Sequence, residues 1–139
     1  MLSFSTIENT YSLKNKLKVK SWVKSILEAE GKSAGDITYI FCNDEYLLGL
    51  NEKYLQHDTL TDIITFDYSE GGKLSGDVFI SIERVKENAE SYSTIFNKEL
   101  GRVMAHGVLH LAGYKDKTAK DKKVMRSKED LYLSSYPNL

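Results

Sequence analysis

The chain has 139 residues, 41% of them hydrophobic and 28% charged, with a formal net charge of −1. That length suits one domain that buries its own core, and the balance of residue types excludes an intrinsically disordered chain. Cys42 is the single cysteine, which excludes an internal disulfide and a thiolate metal cluster. No uncharged apolar run approaches a membrane span, and MLSFSTIENTYSL lacks the basic start and apolar stretch of a signal peptide. A reducing, cytoplasmic setting is expected.

LSFSTI reads as a first strand. Across residues 13–30, Val19, Trp22, Val23, Ile26 and Leu27 recur at helical spacing, and GKSAGD then breaks the helix. ITYIFCN is a strand by its β-branched and aromatic content. Asn43 can cap the next helix, with Asp44 and Glu45 at its positive end, and that helix runs to about residue 55. TDIITFDY is a third strand, and SEGGKLSG turns into a fourth, DVFISI, in which Val78, Ile80 and Ile82 share a face. Ser81 or a neighbour starts a helix through Ser91. Asn97 is expected to cap another, continuing to Ala112. Thr118, followed by Asp121 three residues later, opens a last helix ending near Ser134. The order predicts an α+β fold: one four-stranded sheet, mixed by its connectivity and packed with about five helices, in one domain over residues 1–139.

Charge is unevenly spread. Residues 14–24 and 115–128 each carry a net +5, so the remainder carries −11. Such asymmetry can place a basic patch on an acidic body, the footprint of a phosphate-rich partner, or it can be two solvated helix faces.

HGVLHLAGYKD, residues 106–116, carries the chemistry. Leu100, Val103, Met104, Val108 and Leu111 form the core stripe of its helix, and Gly107 falls within that stripe. A glycine there costs about 1 kcal/mol relative to alanine, so close approach of another element is the expected compensation. His106 and His110 lie one turn apart on the shoulder of the stripe, where their imidazoles can converge. Gly113 can stop the helix in a left-handed conformation, and Asp116 can then swing back towards both histidines. Two nitrogens and one oxygen with an open fourth position suit a catalytic zinc. The competing reading leaves Asp116 as a solvated turn residue. The spacing is also that of a metzincin zinc site, whose general-base glutamate would occupy position 107; Gly107 removes that base.

The same segment resembles the signature H-G-x-L-H-L-x-G-Y-D-H of the YbeY family, bacterial endoribonucleases and rRNA maturation factors. His106, Gly107, Leu109, His110, Leu111, Gly113 and Tyr114 match it, whereas Lys115 and Asp116 replace its aspartate and third histidine. LNEKYLQHDTLTDIITF and LSGDVFISIERVKENA extend the resemblance over most of the chain. It implies one zinc ion held at His106, His110 and Asp116, through which these residues would act in catalysis. It also implies a cytoplasmic role in processing and quality control of ribosomal RNA, small-subunit RNA above all, with ribosome precursors and ribosomal proteins as partners. The family's arginine after the tyrosine of LNxxYRG is Leu55 here.

Zinc would make hydroxide available near neutral pH and polarise a phosphoryl oxygen. Attack on a phosphodiester also needs positive groups on the backbone. Candidates are Lys115 and Lys117 beside the ligand turn, Arg102 one turn before His106, and Lys120, Lys122 and Lys123 on the last helix; such side chains are more often simply solvated. His57 is a proton donor, a rival third ligand or a plain loop histidine. Asp62 lines the cleft or caps the turn before strand three, Asp77 reads as a turn residue, Tyr114 stacks on a base or packs on the last helix, and Cys42 is buried filler. The leading expectation is a zinc-dependent endoribonuclease. A non-catalytic, zinc-stabilised ribosome-assembly factor is the rival favoured by Leu55, and a metal-dependent peptidase is third.

Overall fold

A computed structural model describes residues 1–55 and 60–137, so His57 lies outside the described residues. The elements run β1 (Leu2–Thr6), α1 (Lys16–Ala29), β2 (Ser33–Cys42), α2 (Asp44–Leu55), β3 (Ile63–Asp67), β4 (Lys73–Ser81), α3 (Ile82–Ser91), α4 (Phe96–Leu111) and α5 (Ala119–Leu133). The sheet order is β1-β2-β4-β3, parallel between β1, β2 and β4 and antiparallel between β4 and β3. The described residues form the expected single α+β domain, with a four-stranded mixed sheet and five helices. No helix among the described residues is long and apolar enough to cross a membrane.

Alternation along the strands divides the core. Ile37, Tyr39, Phe41, Val78 and Ile80 face the main cluster, which α1 and α4 cover and which α5 closes from outside. Ile64 and Cys42 face the opposite way and pack with Leu47 of α2. All five apolar positions expected to bury α1 do so. The Tyr39 hydroxyl donates to the Met104 carbonyl at 2.8 Å, tying α4 to the sheet centre. Trp22 Nε1 donates to the Tyr132 carbonyl at 2.9 Å, tying α5 to α1.

Four local expectations need correction. β2 and β4 each begin about four residues earlier than expected, because their ends pair with one another, Ser33 opposite Lys73 and Ala34 opposite Leu74. That pairing supplies hydrogen bonds to residues whose own preference is for turns. Asp77 is consequently a strand residue, opposite Thr38 and Phe66. Ile82 opens α3 instead of extending β4, with Ser81 as the N-cap accepting from Arg84 N. Helix α4 starts at Phe96 behind Ile95, with no side-chain cap, so Asn97 lies inside it. Phe96 packs edge-on against Tyr11 and is held to the core, which outweighs the capping preference of asparagine. Asn43 and Thr118 do cap α2 and α5, the latter in a capping box with Asp121.

Candidate metal centre

Helix α4 reaches its site by crossing the sheet closely. A Cβ on Gly107 would lie 2.7 Å from Val78 Cγ1 and 3.1 Å from Ile63 Cδ1, so the missing side chain sets the depth at which the helix rests. This is the close approach that compensates a glycine in a helix interior. With Gly107 facing the sheet, His106 and His110 project from the flank of α4, their rings 4.5 Å apart.

The helix ends in a Schellman turn. Tyr114 N donates to Leu109 O and Gly113 N to His110 O, both at 3.0 Å, while Gly113 adopts φ +108°. The reversed chain carries Asp116 back to the histidines. Its Oδ2 lies 3.3 Å from His106 Nε2 and 3.3 Å from His110 Nε2. The ligand atoms of His106, His110 and Asp116 all fall within 4.8 Å of one another. Atoms bonded at about 2.0–2.1 Å to a tetrahedral ion stand about 3.3 Å apart. The donor set and its spacing therefore fit a zinc-sized cation, with one vertex open.

A carboxylate behind the triad is absent from the sequence-based expectation. Glu129 of α5, 5% exposed, has Oε2 2.6 Å from His106 Nδ1, and Arg102 Nη1 donates to its Oε1 at 3.1 Å. With Nδ1–H donating to Glu129, Nε2 of His106 is left as a lone-pair donor facing Asp116. Burial opposes charge on His106, but the Glu129 hydrogen bond and the fields of Glu129, Asp116 and Asp62 raise its pKa. The signal for Glu129 is present in the sequence: it shares the buried stripe of α5 with Met125 and Tyr132, where an acid is out of place.

The turn itself is anchored at a distance. Tyr114 Oη donates to Glu30 Oε1 at 2.6 Å, and Tyr132 Oη and Lys128 Nζ converge on Glu30 Oε2. Tyr114 thus packs against the last helix, with Lys128 over its ring. Glu30 fixes α1, the ligand turn and α5 together.

Two cavities open at the triad. A groove of about 680 Å³ runs along β3, lined by Leu55, Asp62, Asp67, His106, His110 and Asp116. Leu55, 47% exposed, stands where the family arginine was expected. Asp62 borders both cavities and accepts from Asn88 Nδ2 at 3.2 Å; burial raises its pKa despite His106. Among the basic candidates, Arg102 is engaged by Glu129 and Asp130. Lys115, Lys117, Lys120, Lys122 and Lys123 are exposed, and Lys122 reaches the second cavity. Cys42 is buried, its thiol pushed up to about 12 by burial and Asp44, which removes it as a nucleophile.

The model of the family Endoribonuclease YbeY matches residues 4–137. The Endoribonuclease YbeY of Flavobacterium psychrophilum is 53% identical over 136 residues, 98% of this chain and 96% of its own. That of Flavobacterium johnsoniae is 51% identical over 136 residues, covering 98% and 97%. Among solved structures, the solution structure of TM1509 from Thermotoga maritima superposes with a TM-score of 0.66 at 26% identity, covering 98% of this chain and 89% of that one. Matched almost end to end by the family and by relatives at half identity, the chain belongs to the Endoribonuclease YbeY family.

Proposed function

We propose that residues 1–139 act as one metal-dependent hydrolase domain: a zinc-dependent endoribonuclease in the cytoplasm, acting in maturation and quality control of ribosomal RNA. The observation that carries this reading is the placement of Asp116 Oδ2 at 3.3 Å from both histidine Nε2 atoms, at the junction of two cavities. His106, His110 and Asp116 would hold the metal, and Glu129 would orient His106. A bound zinc would supply Lewis-acid activation of water and of a phosphoryl oxygen. The groove along β3 would receive the RNA strand, and the exposed lysines of the ligand turn and α5 would meet its phosphates. Ribosome precursors, with their proteins, are the substrates this reading favours.

Metal analysis of the purified chain, paired with RNA cleavage with and without chelator, tests it. About one zinc per chain and chelator-sensitive cleavage are expected; stoichiometric zinc without cleavage of any RNA would refute the catalytic role. One observation favours a second reading, a zinc-stabilised ribosome-assembly factor: the apolar Leu55 lines the groove where a phosphate-binding arginine would serve catalysis. Leu55→Arg separates the two. A nuclease should gain cleavage rate by about tenfold from the added donor, whereas an assembly factor should stay inert.

A further inference from the structure

The cavity on the α5 side of His106 has a volume of about 250 Å³, several times the ~30 Å³ share of one water. Glu99, 4% exposed, lines it, and no hydrogen bond or ion pair from the described residues reaches its carboxylate. Among the described residues only the Tyr136 hydroxyl is sealed without a partner, so the two Glu99 oxygens stay open to the cavity as acceptors that a ligand's donors can meet. Burial, then the neighbouring Asp62 carboxyl, raise its pKa against the opposing pull of Arg102 and Arg126.

A divalent cation is a poor occupant. Among the described residues only His106, His110 and Asp116 bring three ligand atoms together, and Arg102, Arg126 and Lys122 border the cavity. The required ligand offers donors inward and negative charge outward, with flat apolar faces for the walls formed by Ile63, Val103 and Met125. A nucleotide meets all three conditions. Guanine alone of the RNA bases presents two adjacent edge donors, N1–H and N2–H, matched to the two oxygens of one carboxylate. The single adenine and cytosine amino groups sit beside a ring acceptor, and uracil N3–H lies between two carbonyls.

We infer that this cavity is a guanine-selective subsite, in which the Glu99 carboxylate accepts from N1–H and N2–H while Lys122 and Arg126 at the exposed side meet the phosphate. Glu99 precedes His106 by two turns of α4, about 10 Å along the axis. A base seated on Glu99 would thereby present an adjoining phosphodiester to the metal centre. Its role in cleavage rests on the nuclease reading above; base binding does not.

The test is titration of the full-length chain with nucleoside 5′-monophosphates, which hold no phosphodiester to cut, followed by methyl NMR of Val103 and Met125. Guanosine monophosphate should bind at least tenfold more tightly than inosine monophosphate, which lacks only the 2-amino group, and than the other three. Glu99→Gln, isosteric but offering one acceptor and one donor, should reduce the guanosine nucleotide to the inosine level while zinc content is retained. The guanosine–inosine comparison stands on the unaltered chain should the variant fail to fold. Equal affinities, no binding, or discrimination preserved in Glu99→Gln would overturn the subsite. Cleavage of a guanine-free RNA, run in parallel, reports separately on the nuclease: cleavage without guanosine preference overturns the subsite alone, and guanosine preference without cleavage of any RNA supports the subsite and overturns the nuclease.

Discussion

Glu129 Oε2 stands 2.6 Å from His106 Nδ1, so a carboxylate from α5 sets which ring nitrogen of an α4 histidine faces Asp116. Glu129→Gln keeps the shape but removes the charge that makes the imidazole a stronger donor. Zinc affinity, measured by competition with a chelating dye, should fall by about tenfold or more. Unchanged affinity would mean that Glu129 serves packing and the Arg102 ion pair alone.

The ligand set is tested at its least expected member. Asp116→His should retain about one zinc per chain, because imidazole is an equally good ligand at a position where the family signature carries histidine. Asp116→Ala and His110→Ala should each lose most of it. Equal affinity in the aspartate, histidine and alanine forms would make residue 116 a bystander.

The lysines of α5 are tested by salt. Binding of the unaltered chain to structured RNA should weaken steeply as salt rises. Each phosphate that a lysine neutralises adds roughly 0.7–0.9 to the slope of log affinity against log salt. Reversing the charge of Lys120, Lys122 and Lys123 together should therefore lower that slope by about 2, with zinc content unchanged. A slope equal to that of the parent would show α5 to be a solvated face.

Acid should act through Glu30. Burial opposes its ionisation, but hydrogen bonds from Tyr114, Tyr132 and Lys128 outweigh burial and hold its carboxyl below the ordinary 4.5. The Tyr132 phenol, buried beside it, is pushed up to about 12. A carboxyl depressed in the folded state contributes its full stabilisation above the unfolded value and loses it as pH falls through the folded one. Glu30→Gln should therefore cost about 1–3 kcal/mol at pH 7, read by urea unfolding. The difference from the parent should shrink as pH drops below about 4. A difference constant from pH 7 to 3 would contradict an ionised anchor.

Much of this is legible along the chain. The period of α1, the stripe of α4 and the turn at Gly113 are local patterns, and the histidine pair with its returning aspartate occupies eleven consecutive residues. The starts of β2 and β4 are hidden because partners 40 residues apart supply their hydrogen bonds, Ser33 to Lys73 and Ala34 to Leu74. Glu30, Glu99 and Glu129 are hidden for a related reason: each owes its role to neighbours from other elements. Glu99 and Glu129 nonetheless leave a trace, as acids placed at buried positions of otherwise apolar helix faces.

Gly107 bears on how this site could change over generations. A metzincin-like peptidase would need a glutamate at that position, one codon step from glycine. Yet any side chain there starts 2.7 Å from Val78 and points into the sheet, away from the flank that carries the histidines. Substitution would lift α4 off β3 and β4 and displace both ligands before it delivered a base. Packing beneath the helix thus closes the shortest mutational path between two chemistries that share a ligand spacing.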